Sequence, residues 1–433
     1  MDKSSIIDLL LKYNFWPQLG QKLDIPIGFL RRSYLQVFKP YLGSNLIKVL
    51  NGQRRSGKSY LMRQLIHYLI EGENTPAQNI LYINFENERF DFVKNNKDLR
   101  DLVDFFVEEF ADTKQKIYLF FDEIQEVEAW EKTINSFKED HKIDCEIFIT
   151  GSNSKLLSSE LATYLTGRYI ELKIYPISFE EFLDIKDVPR SQDSLIEFLS
   201  HSQLPELLLE DNLELKKSYL RTIRSSILLN DIVKRFAIKN VDLLEKLFMF
   251  LVDNIANLFS TNSLVKALEK QGYNTNPVTL GNYLKYLEYS FLIYGVDRFN
   301  LKGKKILEGE RKFYLNDLGF RNYLSSSFDA GMSKKLENFV FQTLIQKGFD
   351  VYVGTLDEMR EVDFVAEKDG QKIYLQVTYL LESEKVAERE YGNLERVRDN
   401  WPKYVVSMDK IDIPSRNGIQ HLKAWELNSV FDI

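Results

Sequence analysis

The sequence predicts an α/β fold: a parallel-sheet domain, then a mainly helical region, then a second and smaller α/β domain. Three observations carry this. Short apolar, β-rich runs alternate with amphipathic helices from about residue 46 to 175 and again after about 330. Leucines recur at helical spacing through 178–290. A glycine-containing loop joins the first predicted strand directly to a helix. The length of 433 residues accommodates about three domains at roughly 150 residues each. At 44 % hydrophobic and 28 % charged, the composition is that of a folded chain and excludes a disordered one.

In chain order, residues 1–45 read as helical, with Ile6, Leu9 and Leu10 on one face and Leu30, Tyr34 and Leu35 on another. Strands are predicted at Leu46–Leu50, Ile80–Phe85, Ile117–Phe121, Glu146–Thr150 and Tyr169–Ile174. In the helical region, Leu204, Leu207 and Leu208, then Leu243, Leu244, Leu247 and Leu251, form core stripes. A helix at Ser263–Lys270, a turn with Asn276-Pro277, a helix at Val278–Glu288 and β-like segments at Phe291–Phe299 and Arg311–Leu315 outline a winged helix. Beyond that come a helix at Leu336–Lys347, strands near Asp350–Val353, Val362–Ala366 and Lys372–Val377, a helix at Lys385–Arg398 and a strand at Lys403–Ser407. The expected domains are 1–177, 178–330 and 331–433.

The loop itself carries chemistry. Gly52-Gln53-Arg54-Arg55-Ser56-Gly57-Lys58-Ser59 fits G-x-x-x-x-G-K-[ST], follows a β-like run and opens a helix. In such a P-loop the glycines let backbone N–H groups wrap a phosphate chain, and the helix directs its positive end at it. Gly52, Gln53, Arg54, Arg55, Ser56, Gly57, Lys58, Ser59 and Tyr60 are therefore the candidate nucleotide site. Lys58 would neutralise the β- and γ-phosphates of ATP, and the Ser59 hydroxyl would ligate Mg²⁺. Asp122 and Glu123 end the apolar strand Ile117–Phe121 in the Walker B arrangement, Asp122 as the metal's outer-shell partner and Glu123 as the residue that polarises the attacking water. The strand Glu146–Thr150 runs into Gly151-Ser152-Asn153. Asn153, with Ser152 second, is the candidate polar contact to the γ-phosphate; a plain helix cap is the competing role. Arg168, in Thr166-Gly167-Arg168, is a candidate for stabilising transition-state charge in its own site or a neighbour's.

These motifs, together with Tyr82-Ile83-Asn84-Phe85-Glu86, Phe121-Asp122-Glu123-Ile124-Gln125 and Leu165-Thr166-Gly167-Arg168, occur in an order that resembles a prokaryotic ATPase family of the AAA_14 plus DUF4143 type. The resemblance covers nearly the whole chain. It implies an AAA+-like core, a winged helix and a C-terminal domain similar to the PD-(D/E)xK nucleases. It also implies Lys58 and Ser59 at phosphate and magnesium, Asp122 and Glu123 as the Walker B pair, Asn153 as sensor and Arg168 as sensor or arginine finger. Residues near Arg31 and Arg32 would flank the adenine. The nuclease pattern is incomplete: Glu337 and Asp363 match, but Gln376-Val377-Thr378 lacks the charged ligand and the lysine, which argues against nuclease activity.

The remaining composition narrows the partners. A net charge of −7 excludes a whole-surface nucleic-acid binder and leaves a local patch. Arg298, Lys302, Lys304, Lys305, Arg311 and Lys312 supply one on the wing that would suit non-specific DNA contact, while packing between domains is the slightly favoured role of the winged helix. The helix Thr279–Ser290 offers Lys285 and Asn282 and little else for base readout. The single Cys145 rules out an internal disulfide and reads as structural, and His67, His141, His201 and His421 lack metal-ligand spacing. No signal peptide and no apolar run of about 18 residues is present, so no membrane association and a cytoplasmic location are expected. A protein partner and a homo-oligomer stay open. Two functions are expected: ATP hydrolysis with Mg²⁺ that rearranges the winged-helix and nuclease-like modules, or a nucleotide-gated switch of low turnover that acts through a protein or DNA partner.

Overall fold

The computed structural model describes residues 2–16, 23–139, 143–152, 167–325, 331–357 and 360–431. They form two compact units, Met1–Ile174 and Tyr175–Ile433.

The first unit is built on five strands: β1 (Ile47–Asn51), β2 (Ile80–Asn84), β3 (Ile117–Asp122), β4 (Cys145–Gly151) and β5 (Tyr169–Lys173). They lie in the order β2-β3-β4-β1-β5, and every neighbouring pair is parallel. A parallel sheet is covered on both faces, and this explains why its strands read as unbroken apolar runs. On one face, Leu61, Leu65 and Leu69 of the helix Lys58–Glu71 pack on Leu50, Tyr82, Phe120 and Phe148. On the other, Leu102 and Phe106 of Asn96–Glu109 and Ile134 and Phe137 of Trp130–Glu139 pack on Val49, Phe121 and Ile149. The pleat sends adjacent residues such as Phe120 and Phe121 to opposite cores.

Of the helical reading for 1–45, the structure forms Lys3–Tyr13 and Arg32–Phe38. The segment after the first helix finishes the edge of β2. Tyr82 N donates to Asn14 Oδ1 at 2.7 Å, and Trp16 Nε1 donates to the Ile80 carbonyl at 2.8 Å. Satisfying an edge strand this way removes a pairing surface.

The second unit begins with helices that include Phe179–Lys186, Gln192–Ser200, Leu213–Ser226 and Val241–Asp253. Between the last two, Ile227–Val233 takes π-helical form. Next come β6 (Leu258–Ser260), the helices Thr261–Glu269 and Pro277–Tyr289, and the hairpin β7 (Ile293–Asn300) and β8 (Lys305–Leu315). The Asn276 side chain caps the second of these helices through the Thr279 amide at 2.9 Å. Beyond the helix Met332–Gln346 lie β9 (Asp350–Asp357), β10 (Arg360–Lys368), β11 (Gln371–Val377), β12 (Lys403–Ser407) and β13 (Gln420–Lys423), with the helix Glu384–Glu395 between β11 and β12.

These strands make one mixed sheet, β13-β12-β11-β10-β9-β7-β8-β6. β7 pairs in parallel with β9 through Arg298↔Val353, Phe299↔Gly354 and Asn300↔Thr355. The boundary drawn from sequence at 330/331 therefore falls inside a continuous sheet. One core also runs through it, from Ile177 through Leu244 and Tyr314 to Trp425.

Candidate functional site

The site forms where the carboxyl ends of β1, β3 and β4 meet. β4 separates the other two, so the loop after β1 and the acidic pair ending β3 flank it on either side. Open parallel sheets place their ligands at such strand ends.

The loop is shaped by residues that allow no alternative. A Cβ on Gly52 would lie 2.1 Å from the Ile174 carbonyl oxygen, so the first loop position has room only for glycine. Gly57 caps the helix Lys58–Glu71 with φ 95°, a left-handed conformation that disfavours a side chain. Arg55 is left-handed as well, at φ 69°. Inside the turn, Lys58 is 3 % exposed, and its ammonium donates to the carbonyls of Gly52 (3.1 Å) and Gln53 (3.2 Å). It also lies 3.4 Å from Glu123 Oε1.

Asp122 is fully buried at the end of β3. Tyr82 Oη donates to its Oδ2 at 2.8 Å and Thr150 Oγ1 to its Oδ1 at 2.6 Å, while the Ser59 hydroxyl forms a third hydrogen bond. Burial and the neighbouring charge of Glu123 raise its pKa above the ordinary carboxylate value, and those three hydroxyls oppose the rise. Glu123 shifts the other way. Burial pushes its pKa up, but the Lys58 charge, the Gln125 hydrogen bond and the Arg54 charge outweigh burial and hold it below its usual value. Gln125 Nε2 donates to Glu123 Oε2 at 2.6 Å, so both carboxylate oxygens are held. Glu123 adopts φ 52°, which turns the chain off the strand end.

The structure thus brings Lys58, Ser59, Asp122 and Glu123 together and sorts the remaining candidates. Tyr60 is 43 % exposed, with its ring beside Gly28 of the N-terminal segment. Arg31 is buried, and its Nη1 donates to the carbonyl of Ser56, inside the loop. Arg32 is exposed. Asn153 lies outside the described residues. Ser152 is buried, but the residue of β4 that reaches the acidic pair is Thr150, whose hydroxyl also accepts from the Glu123 amide at 2.8 Å. Sequence reading passed over Thr150 as the last residue of a strand. The signal was the register: β3 and β4 pair Phe121 with Ile149, which sets Thr150 beside Asp122.

Arg168 does not join the site of its own chain. Its carbonyl accepts from the amide of Ile47, where β1 begins, whereas the loop leaves the far end of that strand. Five residues of strand span roughly 16 Å. Its guanidinium is bound instead to Asn135 and Glu139, each at 2.8 Å.

The second unit corrects the basic patch. Arg298 pairs with Glu310 at 2.8 Å and Arg311 with Glu288 at 2.8 Å. Lys312 is buried, 3.0 Å from Glu337, 3.4 Å from Asp363 and 3.7 Å from Glu361. Three of the six candidate phosphate contacts, Arg298 on β7 and Arg311 and Lys312 on β8, are thus committed to carboxylates of the same unit. Glu337 and Asp363 do meet, but around an ammonium supplied by β8, and the Thr378 hydroxyl turns to the Leu380 carbonyl at 3.5 Å. Burial and the Glu337 charge push Asp363 up to about 7, against Lys312 and the Val377 amide. Among the described residues no group of three or more His, Cys, Asp and Glu is placed to hold a metal ion. None of their helices is long and apolar enough to cross a membrane.

The turn leaves no space for a Cβ at Gly52, the buried Ser56 hydroxyl inside it has no hydrogen-bond partner, and Ser59 stands against the buried Asp122. A hydroxyl and a carboxylate are oxygen donors of the kind Mg²⁺ takes. The residues present fit both a nucleotide and Mg²⁺.

Residues 44–183 match the AAA domain family AAA_14. Residues 192–331 match a domain of unknown function, DUF8612, in place of the DUF4143 partner expected from the resemblance. An uncharacterized protein of Haemophilus influenzae is 36 % identical over 395 residues, covering 90 % of this chain and 96 % of that protein. An uncharacterized protein of Methanocaldococcus jannaschii is 33 % identical over 366 residues, covering 81 % and 78 %. Among solved structures, a Walker-type ATPase of Pyrococcus abyssi aligns at 13 % identity and TM-score 0.46, over 68 % of this chain and 95 % of that one. The Haemophilus and Methanocaldococcus relatives match over 90 % and 81 % of the chain, and the chain belongs with them to a prokaryotic P-loop ATPase family that carries an AAA domain.

Proposed function

We propose that the chain hydrolyses ATP with Mg²⁺, and that turnover rearranges the second unit with its winged-helix-like and nuclease-like parts. The observation that carries this reading is the meeting of Lys58, Ser59, Asp122 and Glu123 at the strand ends, with Lys58 and Glu123 3.4 Å apart. Lys58 would bind the β- and γ-phosphates, and Ser59 with Asp122 would hold Mg²⁺, which would supply neutralisation of the phosphate charge. Glu123, kept ionised by Lys58 and oriented by Gln125, takes a proton from water. The water oxygen bonds to the γ-phosphorus as the bond to the β-phosphate oxygen breaks, and ADP leaves with that electron pair.

Lys302, Lys304 and Lys305, exposed at the hairpin turn, are the residues best suited to a non-specific phosphate-backbone contact. The cytoplasm, where ATP is abundant, suits a chain with one buried cysteine. The test is ATP hydrolysis by wild type beside Lys58→Ala, with and without double-stranded DNA. Turnover that needs Lys58 supports hydrolysis, and a several-fold rise with DNA supports the hairpin contact. ATP binding with background turnover in both proteins would favour the nucleotide-gated switch.

A further inference from the structure

We infer that Arg54, inside the loop, is the arginine that stabilises the transition state in cis, and that Glu86 holds it ready. This rests on the hydrolysis reading and names a residue for charge stabilisation that the sequence had given to Arg168.

Phosphoryl transfer spreads negative charge over the γ-phosphate oxygens, and ATPases and GTPases commonly meet it with a guanidinium from the same chain or from a partner. Arg168 stands at the opposite ends of the strands, held by Glu139 and Asn135. Arg54 stands at the correct ends. It lies four residues before Lys58, on the turn whose Gly52 and Gln53 carbonyls the Lys58 ammonium bonds. Its Nη1 is 2.6 Å from Glu86 Oε1, and Glu86 follows β2, the strand paired with β3. Its positive charge acts on Glu123, the same carboxylate that Lys58 touches. The Arg54–Glu86 pair and the Lys58–Glu123 pair thus lie at the same carboxyl ends of the sheet.

Arg55, the other loop arginine, is exposed. The Arg54 side chain is 19 % exposed and that of Glu86 is 39 % exposed, so their ion pair is wet at one edge and weak enough to share. A guanidinium has five N–H donors in a planar fork. One edge can stay on Glu86 while the other turns to phosphate oxygens. Glu86 is then a positioning residue: it restricts the long side chain beside the phosphate site before charge develops there.

The test uses the full chain, with ADP, ADP with aluminium fluoride and Mg²⁺, and ATP turnover measured in parallel. Arg54→Ala should lower kcat by about 100-fold or more. It should leave ADP affinity within about threefold and abolish the tighter binding of the aluminium fluoride complex that wild type shows. Arg54→Lys should recover little, because an ammonium lacks the fork. A mixture of Arg54→Ala with Glu123→Gln should stay as inactive as its parts. Wild-type turnover in Arg54→Ala overturns the inference, as does an equal loss of ADP affinity and turnover, or restored activity in the mixture, which would put the arginine in trans. If wild type shows neither Lys58-dependent turnover nor nucleotide binding, the hydrolysis reading itself fails, and a wild type that turns over normally beside an unaffected Arg54→Ala fails only this inference.

Discussion

The hydroxyl of Thr150 makes two bonds at once, donating to Asp122 and accepting from the Glu123 amide. Valine has the same shape without the hydroxyl. Thr150→Val should leave the fold intact but strand a buried amide and a carboxylate oxygen, a cost of about 1–3 kcal/mol. We expect a urea midpoint lowered to match and kcat reduced at least tenfold, because Glu123 loses the anchor of its backbone. Unchanged kcat with lowered stability would make Thr150 a core residue only. Single residues were legible in the sequence where the motif spaces them: the structure brings Lys58, Ser59, Asp122 and Glu123 together, with Gly52 in the turn. Thr150 and Lys312 were not, since their roles depend on which strand lies next to them, and strand order cannot be read from local spacing. Arg168 was legible as the residue before β5, but that this end of the sheet lies away from the loop of its own chain depends on β5 running parallel beside β1.

At the scale of elements, the helix Met332–Gln346, β8 and β10 converge on a buried charge cluster. Lys312 of β8 meets Glu337 of the helix and Asp363 of β10, and Tyr314 Oη donates to Glu337 at 2.9 Å. The charges of Glu337, Asp363 and Glu361 overcome burial and raise the Lys312 pKa, so it stays an ammonium. Asp363 is held up to about 7, against a value near 4 in an unfolded chain. Between those values the folded chain keeps a proton that the unfolded chain releases. The stability this carboxyl contributes is therefore fully present below pH 4 and lost as pH rises through 7. Asn at this position carries no such proton. The unfolding free energy of wild type minus that of Asp363→Asn should fall between pH 4.5 and 7.5 in urea titrations, and a constant difference would show that Asp363 titrates as an ordinary carboxyl. The strands of the first unit matched their apolar runs to within a residue or two. β13 was missed because Gln420–Lys423 is short and polar, and β8 starts earlier than its apolar part, at Lys305.

For the whole molecule, an α/β chain with a P-loop sheet was legible from the alternation of runs and helices. The extent of the second unit was not. A hairpin and a strand set separated by 34 residues, between Leu315 and Asp350, join one sheet, and the contact between β7 and β9 leaves no local trace in sequence. The groups gathered at the strand ends are proposed to turn over ATP. The most direct measurement is phosphate release and retained nucleotide for wild type beside Glu123→Gln. Glutamine keeps the shape of Glu123 and cannot take the proton. Glu123→Gln should bind Mg·ATP as tightly as wild type, release phosphate about 100-fold or more slowly and be recovered with unhydrolysed ATP bound. Equal phosphate release by the two proteins would contradict ATP turnover by these groups.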